Sequence, residues 1–96
     1  MTDRALASQP VLRRHDAVIA SRVHDELILT HGETNVYFSL DGTGREIWEL
    51  LASPINADAL VIQIAGIHDL TPGEVESDVL GFLAELREAR LILVEV

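Results

Sequence analysis

Tyr37-Phe38-Ser39-Leu40-Asp41-Gly42-Thr43-Gly44-Arg45-Glu46-Ile47-Trp48-Glu49-Leu50-Leu51 reads as the end of a strand, a glycine-bearing turn and the start of an amphipathic helix. The hydrophobic period changes inside it. From Thr34 to Leu40 the chain alternates, with Val36, Phe38 and Leu40 on one face and Asn35, Tyr37 and Ser39 on the other. Beyond Gly44, the residues Ile47, Trp48, Leu50 and Leu51 form the apolar side of a helix that Asp41 or Thr43 is placed to cap. This helix runs to about Ala52, and Ser53-Pro54 ends it. Trp48 faces the sheet and belongs to the core.

Upstream, Ala17–Val23 and Leu27–Thr30 read as strands turned at His24-Asp25, and His31-Gly32-Glu33 as the loop into the third strand. Three sequential strands with short loops make an antiparallel meander. Downstream, Asn56 caps a helix over Ala57–Ile67. Thr71-Pro72-Gly73-Glu74 is a capping box opening a third helix, with Val75, Val79, Phe82, Leu83 and Leu86 at helical spacing. Leu91–Val96 is apolar and β-prone, a final strand or a docking tail. Residues 1–16 read as a flexible N-terminal arm and 17–96 as one domain. The order predicts an α+β, winged-helix-like fold: a three-stranded antiparallel sheet followed by three helices.

The chain has 96 residues, 48% of them hydrophobic, and a formal net charge of −9. A domain of this size buries roughly 60–65% of its unfolded surface, enough for an adequate core. The negative charge argues against nucleic acid and anionic membranes as partners and favours a basic or neutral one. There is no Cys, so no disulfide, thiolate metal site or cysteine nucleophile, which fits a reducing cytoplasm. No secretory signal and no bilayer-spanning run is visible.

No residue set resembles an active site, so no catalytic residues, metal or cofactor are expected. His15, His24, His31 and His68 lack zinc-ligand spacing and read as surface residues. The third-helix acids Glu74, Glu76, Asp78, Glu85 and Glu88 read mostly as a solvated face. Asp78 is the exception, beside Val79 and Phe82, where it can meet a partner's backbone or a basic side chain. Asp41-Gly42-Thr43-Gly44 lacks the Lys-Ser/Thr of a phosphate loop. The third strand stands out: Thr34–Leu40 carries no charge and no Pro, the devices that usually guard a sheet edge. Such an edge invites an extended peptide. The alternatives are that Leu91–Val96 covers it or that two copies pair there as a homodimer.

The pattern Tyr37-x-Ser39-Leu40-Asp41-Gly42-Thr43-Gly44-x-x-Ile47-Trp48-x-Leu50-Leu51, with Asp78-Val79-x-x-Phe82-Leu83-x-x-Leu86, resembles the PqqD-like proteins, also called RiPP recognition elements. The resemblance covers roughly Val18 to Val94. It implies a domain that binds the leader of a ribosomally made precursor peptide and presents it to a leader peptidase or other modifying enzyme. The leader adds as an antiparallel strand and fills a groove beside the third helix. Carried over by position, the peptide-binding residues are Asn35, Val36, Tyr37, Phe38, Ser39 and Leu40 from the strand, with Val75, Asp78, Val79, Phe82 and Leu86 from the helix. The joint from Leu51-Ala52-Ser53-Pro54-Ile55 to Leu60 is similar to stand-alone members of lasso-peptide pathways; a pyrroloquinoline quinone pathway serving a radical enzyme is the alternative. Asp41-Gly42 replaces the more usual Asn, and Arg90 the more usual helix-closing Gly.

Overall fold

The computed structural model describes residues 10–95. In chain order the elements are β1 (Val11–Arg14), β2 (Val18–Val23), β3 (Glu26–His31), β4 (Tyr37–Leu40), α1 (Gly42–Leu50), α2 (Ala57–Ile67), α3 (Pro72–Glu88) and β5 (Ile92–Glu95). β2, β3 and β4 form the antiparallel meander in that spatial order, and β1 pairs with β5 in a separate two-stranded sheet.

The alternation predicted for the meander holds. Leu27, Leu29 and His31 of β3 turn inward, opposite Leu40, Phe38 and the turn that precedes β4. The helices supply the other wall: Ile47, Trp48 and Leu51, then Leu60 and Ile64, then Val79 and Leu86, each at most 2% exposed. Local chemistry sets the helix ends. Asn56 Oδ1 accepts the Ala59 N–H at 2.8 Å. The Glu74 carboxylate accepts from the Thr71 N–H at 3.1 Å and its hydroxyl at 2.8 Å, and the Glu74 N–H returns a bond to the Thr71 carbonyl. At the start of α1, Gly42 has φ +52, a conformation that side chains resist.

Three expectations change. β4 begins at Tyr37 rather than Thr34, because Asn35 takes φ +61 and its N–H bonds the His31 carbonyl, which keeps the chain in a turn. His31 is buried at 1% exposure, not a surface residue: its inward register places it there, and its Nδ1 accepts the N–H groups of Glu33 and Thr34. Within the stretch read as an arm, Val11–Arg14 form β1, while residues 1–9 lie outside the described residues. β1 is held on two sides. It pairs with β5 from Val11↔Glu95 to Arg14↔Ile92, and Leu12 exchanges both main-chain bonds with Ile55. Its four residues carry two arginines and no alternation long enough to read.

Candidate functional site

Because β5 pairs with β1, it does not cover the meander, and β4 stands at an edge with no described strand beyond it. The hydrogen-bond parity shows which groups that edge offers. Paired residues in an antiparallel ladder alternate between exchanging both main-chain bonds and exchanging none. The His31 N–H bonds the Val36 carbonyl at 2.9 Å. Continuing the register, Leu29/Phe38 and Leu27/Leu40 exchange bonds, whereas Thr30/Tyr37 and Ile28/Ser39 do not. The β2–β3 ladder agrees independently: Gly32 N–H bonds the Ala17 carbonyl, which turns Thr30 and Ile28 toward β2. The N–H and C=O of Tyr37 and Ser39 therefore point out of the sheet. Their side chains occupy the outer face, Tyr37 66% exposed and Ser39 donating to Glu26 Oε1.

The opposite edge differs. β2 places Arg22, exposed, on the same face of its strand as Leu27, a charge that disfavours another strand there. β4 has no such guard.

Beside β4 lies a groove of about 490 Å³. From the strand and the following turn it takes Ser39, Leu40 and Asp41; from α3 it takes Glu74, Val75, Asp78, Val79 and Phe82. α1 contributes Thr43, Gly44 and Ile47, and the end of α2 with the following loop contributes Ile64, His68 and Leu70. The floor is apolar and the rim is anionic. Hydrogen bonds from the Thr71 main chain and hydroxyl hold the Glu74 carboxyl below its ordinary range. His68 Nε2 meets Glu46 Oε1 at 2.6 Å.

Of the residues expected to bind peptide, Ser39, Leu40, Val75, Asp78, Val79 and Phe82 meet in the groove, and Tyr37 and Phe38 complete the strand beside it. Asn35 and Val36 lie in the turn before β4. Leu86 is fully buried and does not line the groove, because α3 turns it toward the core. The contributions of α1 and α2 were not read from the sequence. Spacing within one helix says which of its residues share a face, but not which other helix that face approaches.

Among the described residues, His15, His31 and Glu33 could bring three ligand atoms within 4.8 Å of one another. They do not suit a cation. Both His Nδ1 atoms accept backbone N–H groups, from Ala17 in one case and from Glu33 and Thr34 in the other, so each Nε2 carries the proton. Ligation there would require an imidazolate. No described helix is long and apolar enough to cross a membrane.

The profile of the family described as Coenzyme PQQ synthesis protein D (PqqD) matches residues 26–92. Among solved structures, TbiB1 in complex with the TbiA(beta) leader peptide is 32% identical with a TM-score of 0.74, over 83% of this chain and 93% of that one. A lasso peptide synthetase B1 complexed with its leader peptide has a TM-score of 0.73 at 16% identity, over 85% and 96% of the two chains. The PqqD truncation of Methylobacterium extorquens PqqCD, a stand-alone RiPP recognition element, has a TM-score of 0.69 at 20% identity, over 86% and 88%. At those identities the last two speak for the fold. No curated protein matches the chain.

Proposed function

The chain belongs to the PqqD family, and from that premise we propose that it is a non-catalytic carrier that binds the leader of a ribosomally synthesised precursor peptide, of the lasso-peptide type, by strand addition to β4. It delivers the leader to a modifying enzyme such as a leader peptidase, in a reducing cytoplasm. The leader-binding unit runs from β1 to β5.

The observation that carries this reading is the open edge of β4, with the free main-chain groups of Tyr37 and Ser39 directly beside an apolar groove. Magnitudes explain why both are needed. Four main-chain bonds at about 0.5–1.5 kcal/mol each give about 2–6 kcal/mol. A micromolar complex needs about 8 kcal/mol after the cost of ordering the peptide. Apolar side chains of the leader, seated on Leu40, Val79 and Phe82, supply the remainder. They come from leader residues opposite Phe38 and Leu40, since directly paired residues share a face. The net charge of −9 steers a basic leader toward the site.

An amide NMR titration with the TbiA(beta) leader peptide, a precursor peptide of the quinone pathway and a scrambled control tests this. Saturable shifts at Tyr37–Leu40 and along the groove face of α3 are expected with the first. Shifts with the second alone would keep strand addition and change the pathway. No shifts with either would overturn the reading.

A further inference from the structure

Gly44 lies in α1, where glycine costs helix stability relative to alanine, and it does not need a left-handed conformation: Gly42 is the glycine with positive φ. The helical glycines Gly66, Gly73 and Gly81 face open space, and a Cβ on any of them would meet nothing within 4 Å. Gly44 is different. A Cβ there would stand 3.3 Å from Phe82 Cζ, 3.5 Å from Phe82 Cε1 and 3.6 Å from Leu40 Cδ2. All three atoms belong to residues that line the groove. The absence of a methyl group therefore lets the Phe82 ring pack closely against α1, where a Cβ would press on it.

We propose that Gly44 is a specificity-determining position of the leader groove: by admitting the Phe82 ring against α1, it keeps the apolar seat beside Leu40 deep enough for a bulky leader side chain. The proposal rests on the peptide-binding reading above. Phe82 is only half-buried and lines the groove together with Gly44, so a methyl group at position 44 narrows the groove by its own bulk and by the small shift it forces on the ring, without straining the core. The seat becomes shallower while the fold is unharmed. Fold stability and leader affinity then move in opposite directions, which a merely structural glycine would not produce. Shortening the ring restores the space, so Phe82→Leu compensates for Gly44→Ala.

The experiment compares wild type, G44A, F82L and the double variant, using whichever of the two peptides named above saturates wild type. G44A is expected to melt at or above the wild-type temperature and to bind the peptide about tenfold more weakly, the usual scale of an overpacked contact. The double variant is expected to bind as F82L does, without the further loss. In peptide-free protein, the Phe82 ring protons and the Leu40 methyl signals should shift in G44A. A G44A protein with unchanged affinity, or unmoved Phe82 resonances, overturns the proposal. So does a double variant that carries the full G44A loss on top of F82L. Failure of wild type to bind either peptide instead refutes the peptide-binding reading, while the peptide-free Phe82 signals still report on the packing at Gly44.

Discussion

The guanidinium of Arg14 lies 4.7 Å from the centroid of the Trp48 ring and donates two hydrogen bonds to the Trp48 carbonyl, at 2.6 and 3.2 Å. That carbonyl belongs to the last turn of α1, where it also accepts the Leu51 N–H at 3.2 Å and where the helix dipole favours a cation. One side chain thus ties β1 to α1, and burial lowers its pKa without discharging it. Arg14→Ala should cost about 1–3 kcal/mol, because it removes the charge-assisted hydrogen bonds and the cation–π attraction together. Arg14→Lys should fall between, since an ammonium keeps the charge and loses the planar fork. Urea denaturation measures both; a lysine variant as stable as wild type would show that charge alone suffices.

Proline substitutions separate the two sides of β4. Tyr37→Pro removes an N–H that faces the open edge and leaves the β3 ladder intact, as edge strands tolerate. It should keep the fold and weaken leader binding roughly tenfold, the worth of one or two main-chain bonds. Phe38→Pro instead breaks the ladder to Leu29 and should lower the denaturation midpoint. Glu76→Lys, exposed and outside the groove, should alter binding least. Calorimetric titration and circular dichroism on the three variants decide it: equal loss from Tyr37→Pro and Glu76→Lys would count against strand addition.

Much of this was legible in the chain because local chemistry dictates it. The alternation through Phe38 and Leu40, the Asn56 cap and the Thr71–Glu74 box act over a few residues, and each appears where expected. What escaped depends on distant partners. β1 exists only because β5 and Ile55 pair with it from opposite sides. The sequence left open whether Leu91–Val96 would cover β4; β5, Ile92–Glu95, pairs with β1 instead, which leaves β4 at an edge among the described residues. His31 looked like a surface loop residue because its role, accepting two N–H groups of its own turn, has no spacing signature.

Arg90 closes α3 with φ +62, and the Leu91 N–H reaches back to the Leu86 carbonyl at 2.9 Å. A side chain in this left-handed conformation costs about 1–2 kcal/mol, which glycine avoids. Part of that gain is offset by the greater freedom of glycine in the unfolded chain. Arg90→Gly should therefore stabilise the protein by about 0.5–1 kcal/mol and leave leader binding unchanged, since Arg90 does not line the groove. Thermal melting and a parallel titration check both halves. A destabilised variant would mean that the arginine side chain makes an interaction worth more than the backbone strain.

The Thr71–Glu74 box gives a pH dependence whose sign is fixed by its geometry. Two donors, the Thr71 N–H and hydroxyl, favour the ionised Glu74 carboxyl and hold its pKa below 4.5. A carboxyl depressed in the folded state stabilises the fold above its unfolded pKa and loses that contribution as pH falls through the folded value. Glu74 is fully exposed, so the effect is modest and screened by salt. Glu74→Gln keeps the shape and removes the charge. Its melting temperature should lie below that of wild type by the same margin at pH 7 and pH 6, and the two should converge once the pH falls well below 4.5. If the gap persists undiminished at pH 2, the carboxylate charge is not what the box contributes, and the cap rests on Thr71 and Pro72.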